Sequence, residues 1–130
     1  MAPYLGAAQA ASPGYDPGLE FSYGIDINLN ANQALNNQST QILDKAFRWR
    51  WAIASSAGAF SIQIFDGKSN RPFSNQQILG SLLFGTAQNP FPILTPWIFT
   101  QGGTIKVNVT DLSGAGNAVH LCFRGEELNS

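Results

Sequence analysis

Polar and apolar positions alternate along much of this chain, most cleanly in its last third. Ile105, Val107 and Val109 are separated by Lys106 and Asn108, and Val119, Leu121 and Phe123 by His120 and Cys122. Successive side chains of a strand point to opposite faces, so each run buries one face and wets the other. Between the runs, Ser113-Gly114-Ala115-Gly116-Asn117 is rich in residues that tolerate positive φ. The pattern predicts a long antiparallel hairpin with one face on a core.

Earlier segments repeat the signal. Ile25, Ile27 and Leu29 alternate with Asp26 and Asn28 and predict a first strand. Gln38 to Leu43 is a weaker strand candidate after an Asn36-Asn37 turn. Phe47, Trp49, Trp51 and Ile53 are expected on one face of a strand, with Arg48, Arg50 and Ala52 on the other. Phe60, Ile62 and Ile64 predict another strand, and Asp66 to Asn70 has turn composition. Ile78 to Phe84 is less regular; Gly80 and Gly85 favour strand over helix. Asn89-Pro90-Phe91-Pro92 must be extended or turned, because a residue before proline is pushed out of the helical region. Trp97 to Thr100 leads as a strand through Gly102-Gly103 into the hairpin. About eight short strands, broken by turns every 8–12 residues or so and without a long amphipathic helix, predict a sandwich or barrel. The expected fold is all-β: a jelly-roll-like antiparallel β-sandwich over residues 25–130. No internal repeat of propeller or solenoid type is visible.

Residues 1–24 form a separate region, an extended N-terminal arm rich in Ala, Gly and Pro. Pro3, Pro13 and Pro17 oppose a stable helix or central strand. Tyr4, Leu5 and Tyr15 are spaced along it. Two readings suit this stretch: a disordered terminus, or an arm that orders on another subunit through its large amphipathic anchors.

Composition sharpens the picture. Only 12% of the 130 residues are charged, against about 25% in a typical domain. A net charge of −1 offers no long-range attraction to nucleic acid or an anionic membrane. A weakly charged surface suits a protein docked against copies of itself or a partner. Cys122 is the one cysteine, so no internal disulfide can form. No apolar run reaches the ~18 residues of a membrane span, and residues 1–20 do not resemble a signal peptide. The expected compartment is the cytoplasm or a particle assembled there.

Candidate chemistry is sparse. His120 and Cys122 share the outward face of one strand, but a zinc site needs more ligands and no second His or Cys exists. Asp66 and Asp111 sit where Asp caps turns rather than where two carboxyls would face a cleft. Arg48 and Arg50 interleave with Trp49 and Trp51, as in some single-strand nucleic-acid binders. Strand alternation sends the two residue types to opposite faces, so the arginines are read as an outer face that meets a carboxylate partner. Trp97 and Phe99 could form a sugar-stacking platform, although core packing is commoner. The glycine clusters lack the lysine and helix of a phosphate loop. No catalytic motif, cofactor or metal site is predicted.

The layout PFPILTPWIFTQGGTIKVNVTDLSGAGNAVHLCFRGEEL resembles the C-terminal end of small virion proteins of tailed bacteriophages. Its elements are Pro96-Trp97, Gly102-Gly103, Ile105 to Val109, Ser113 to Asn117 and Val119 to Gly125. Among such proteins the overall form is similar to jelly-roll cement (decoration) proteins. That resemblance implies a non-enzymatic protein on the capsid exterior, assembled in the host cytoplasm. It also implies contact with the major capsid protein and with itself, as a homodimer or homotrimer, and none with nucleic acid or membrane. Tyr4, Leu5, Tyr15, Arg48 and Arg50 are the expected partner-binding residues. The alternative is a carbohydrate-binding jelly-roll module or virion spike using Trp97, Phe99 or an exposed Tyr.

Overall fold

The computed structural model describes residues 19–43 and 45–128. Among these described residues nine strands follow in order: β1 (Glu20–Leu29), β2 (Ala34–Gln41), β3 (Phe47–Ser56), β4 (Phe60–Asp66), β5 (Arg71–Pro72), β6 (Ile78–Leu79), β7 (Phe91–Phe99), β8 (Thr104–Asp111) and β9 (Asn117–Glu127). One sheet has the order β1-β9-β3-β7; the other runs β2-β8-β4-β5, with β6 also on β4. All these pairings are antiparallel.

The pairs β1/β9, β2/β8, β3/β7 and β4/β5–β6 are those of one long antiparallel ribbon, rolled so that successive pairs fall in alternate sheets. This is jelly-roll order, and the all-β sandwich expected from the alternation is what forms. β1 begins at Glu20, so Glu20 to Gly24, placed in the arm on composition, pair with β9.

The predicted hairpin does not form. β8 pairs with β2 and β4, and β9 with β1 and β3. The intervening turn carries the chain from one sheet to the other, and the two strands face each other across the core. Alternation reports that each strand buries a face; it is silent on which neighbour supplies the hydrogen bonds.

Two bulges also depart from simple alternation. In β2, Asn36-Asn37 is not a turn: Leu35 lies opposite Val109 and Gln38 opposite Val107, so one extra residue is inserted. Asn37 takes φ 61°, a region Asn tolerates, and its N–H donates to Asn108 Oδ1 at 2.8 Å. In β3, Arg124 lies opposite Trp51 and Gly125 opposite Trp49, which leaves Arg50 unmatched. The bulge resets the alternation. Ala52, expected outside, is buried, while Trp51 and Ile53 leave the core face.

Phe47, Phe99, Phe123, Ile62, Ile105, Val107, Val109 and Val119 are buried between the sheets. Aromatic contacts run through this core: Tyr23 meets Phe47, Trp49 meets Phe99 and Phe123, and Phe84 meets Phe60 and Phe123. The segment expected to be a strand over Ile78 to Phe84 splits into β6 and a 3-10 turn, Gly80–Leu82. Gly80 lies against the Phe60 ring, whose nearest atom would be 2.4 Å from an added Cβ.

Candidate functional site

The candidate sites fall into three settings. At one end of the sandwich, Asp111 and Asn117 are buried and tie three turns together. The Asp111 carboxylate accepts the Ser113 hydroxyl at 2.6 Å, the N–H groups of Asn32, Ser113 and Gly114, and Asn117 Nδ2. The Ser113 hydroxyl, then the backbone N–H groups and Asn117, hold this carboxyl well below the usual carboxylate range; partial desolvation opposes them. Asn117 Nδ2 also donates to the carbonyls of Gly58 and Ala59, and its Oδ1 accepts the Gly58 N–H. Asp66 accepts the Lys68 N–H and Trp97 Nε1–H. Both aspartates are therefore turn-holding groups, as their sequence setting suggested. Asp16 and Asp44 lie outside the described residues.

On the outer face of the first sheet, Glu126 is 1% exposed. Its Oε1 accepts Arg50 Nε at 2.7 Å and Arg48 Nη1 at 3.0 Å. The β3 bulge places Arg48 and Arg50 on one side, and Gly125 permits it: an added Cβ would stand 1.9 Å from the Arg48 carbonyl oxygen. Arg124 pairs with Glu20. The arginines do meet carboxylates, and these belong to the same chain. Trp51 joins the arginines on this outer face, so the separation of Arg from Trp expected from alternation does not hold. Tyr4, Leu5 and Tyr15 lie outside the described residues.

Farther along that face, His120 stands between Asp26 on β1 and Ser55 on β3. His120 Nδ1 is 2.9 Å from Asp26 Oδ1, and Cys122 is half-buried nearby. The order Asp, His, Ser is that of a hydrolytic triad. The side chains of His120 and Asp26, however, are 57% and 77% exposed. No hydrogen bond joins Ser55 to His120 among the described residues. An open sheet face neither excludes water nor aims donors at a developing oxyanion. Among the described residues no three His, Cys, Asp or Glu side chains cluster to hold a metal.

The third setting is uncharged. No Asp, Glu, Lys, Arg or His occurs from Pro72 through Ile105. Among the described residues, five of the seven large exposed hydrophobic residues lie inside it: Leu79, Leu82, Phe91, Leu94 and Ile98. Phe91, Leu94 and Ile98 lie on β7, whereas Leu79 lies on β6 near Ser56 and Gly58, away from Ile98, which is opposite Arg48. Single exposed apolar residues are ordinary, whereas several on one edge strand mark a candidate interaction surface. Among the described residues β7 is an edge strand, and Pro92 and Pro96 remove backbone donors that would invite sheet extension.

This edge has relief. Trp49 pairs with Trp97 and Trp51 with Pro92, so Ile93 to Pro96 lie opposite Arg50 alone and bulge outward. Leu94, at the tip, is 91% exposed. Behind it is a crevice of about 260 Å³ lined mainly by Trp49, Ile64, Phe73, Leu83, Phe91 and Ile93. The expected sugar platform is not offered: Phe99 is fully buried. The Trp97 ring is covered by the Arg71 guanidinium at 4.8 Å and abutted by Phe73. Sequence reasoning missed this edge and buried Glu126. The signal for the edge was present as the charge-free run; Glu126 had none, because the bulge that buries it is non-local.

No helix among the described residues is long and apolar enough to cross a membrane. Comparison with protein-family models, with curated proteins and with solved structures finds no match.

Proposed function

We propose that the chain is a structural virion protein, a cement protein on the outer surface of a tailed-bacteriophage head. In this reading it binds the major capsid protein and copies of itself, strengthens contacts between capsomers and catalyses nothing. The observation that carries the reading is the exposed apolar set from Leu79 to Ile98, in a segment that has no charged residue of its own. Exposed apolar surface on an edge strand marks a site of contact with another molecule. The jelly-roll order and the resemblance of Pro96 to Gly125 to phage virion proteins support the same reading.

Cementing works through added interface. A standard protein contact buries ~1,600 Å² in total. Many symmetric copies on one shell act together, so modest single contacts give a large collective gain. Tyr4, Leu5 and Tyr15 would anchor the N-terminal arm, with Arg48 and Arg50 at the rim of the contact while they hold Glu126.

Mass spectrometry of purified heads of the phage that encodes the chain tests this. The expected result is a copy number that follows the capsid symmetry, and heads lacking the protein that open at lower temperature or pressure. Heads that contain no copies would end the reading.

A further inference from the structure

We infer that the apolar edge seats a second copy of this chain, with Leu94 of one copy entering the crevice behind β7 of the other. The inference rests on the reading of the chain as an assembly protein and names the partner for this edge.

Three observations carry it. First, knob and crevice are both present and cannot satisfy each other within one chain. Phe91, Ile93 and Thr95 line the crevice, and Leu94, between them in the strand, is almost fully exposed. Alternation therefore aims Leu94 away from its own crevice. A second copy can supply the missing side chain, with Leu94 of one chain meeting the crevice of the next.

Second, the chemistry of the edge selects an uncharged partner. Pro72 through Ile105 bring no charged side chain of their own; of the arginines beside β7, Arg48 and Arg50 are held by Glu126 and Arg71 lies over the Trp97 ring. A charged partner group would lose water in the crevice, whose lining is uncharged. Leu94 of a second copy is apolar, so apolar surface covers apolar surface there without burying an unpaired ion.

Third, the edge is shaped for side-chain packing rather than strand addition. Pro92 and Pro96 interrupt the donors of β7, and the bulge from Ile93 to Pro96 breaks its line. What remains is a projecting apolar residue beside an apolar recess, the arrangement of an interface hot spot.

Sedimentation equilibrium of the full chain at roughly 1–100 µM is the first test. The wild type should associate as a dimer or higher oligomer. Leu94→Glu should weaken that association at least ~10-fold while its circular dichroism stays unchanged, because Leu94 lies outside the core. The second test uses Cys122→Ala chains carrying either Leu94→Cys or Ser74→Cys, Ser74 being a further residue of the crevice. Mixed under oxidation, they should form a disulfide-linked heterodimer faster than either forms a homodimer. A monomeric wild type overturns the inference, including one that carries a bound apolar molecule. So does unchanged association of Leu94→Glu, or preferential linking of Leu94→Cys to itself. Heads are scored separately. Monomeric protein that still coats heads defeats this inference alone; assembly as described, with heads free of the protein, defeats the cement reading alone.

Discussion

The turn end around Asp111 and the edge around Leu94 treat their surface groups in opposite ways. At the turn end, one carboxylate and one carboxamide absorb polar groups from three turns, and both are buried in doing so. Along the edge, Phe91, Leu94 and Ile98 remain in water although the core lies a strand away. The contrast separates two tasks. The turn end closes the sandwich, and the edge leaves it unfinished. Substitutions at the first should damage folding, and substitutions at the second should damage assembly.

The largest expected effect lies at the turn end. Asn117→Ala removes the acceptor of the Gly58 N–H and the donor to Gly58, Ala59 and Asp111. Leaving such buried groups without partners costs about 3 kcal/mol, read as a lower denaturant midpoint at unchanged slope. A loss below about 1 kcal/mol would mean that the turns hold themselves and that the contrast between the regions is false.

Much of the turn end was legible in sequence. Asp111, Ser113, Gly114 and Asn117 are turn residues between two alternating runs, and they do hold that turn. The faces of β1, β4, β8 and β9 followed directly from alternation. What alternation could not reveal was pairing. β8 and β9 look like a hairpin because they are adjacent and each has one apolar face, yet they belong to different sheets. The bulges at Asn37 and Arg50 were hidden for a related reason. One inserted residue flips every later side chain, and the insertion is defined only against a partner strand. The candidate edge fared worst, since exposure of Leu94 depends on a bulge opposite Arg50.

Gly125 provides the next largest effect. Its hydrogen faces the Arg48 carbonyl, where a methyl group would stand at 1.9 Å. Gly125→Ala must shift the strand pair that brings Arg48 and Arg50 onto Glu126. The expected loss is about 2 kcal/mol, with the aromatic near-ultraviolet signal of neighbouring Trp49 and Trp51 altered. Unchanged stability would show that the β3 bulge can relax and that Arg50 needs no fixed place.

Acid titration sharpens the comparison further. The folded state holds the Asp111 carboxyl below its usual range, chiefly through the Ser113 hydroxyl. The unfolded chain therefore takes up a proton at higher pH than the folded one. This contribution is complete above an unfolded carboxyl pKa of about 4 and is lost as pH falls from there toward the depressed folded value. Asp111→Asn should be less stable than wild type at pH 6, and the gap should narrow below about pH 4. A constant gap from pH 6 to about 2 would rule out the carboxylate charge as the source of the difference.

The smallest effect should come from the edge, and that smallness is informative. Leu94 and Leu82 are exposed in the folded chain and exposed again when it unfolds, so folding transfers little of either from water. Leu94→Glu and Leu82→Glu should each change monomer stability by no more than about 0.5 kcal/mol. Association contributes to apparent stability in proportion to the bound fraction, so the measurement must be made where the wild type is dissociated. As concentration rises, the wild-type melting temperature should climb and that of Leu94→Glu should stay flat. If either substitution instead lowers stability by more than about 1 kcal/mol in the dilute monomer, the edge helps to hold the sandwich together. Its exposed side chains would then no longer separate docking from folding.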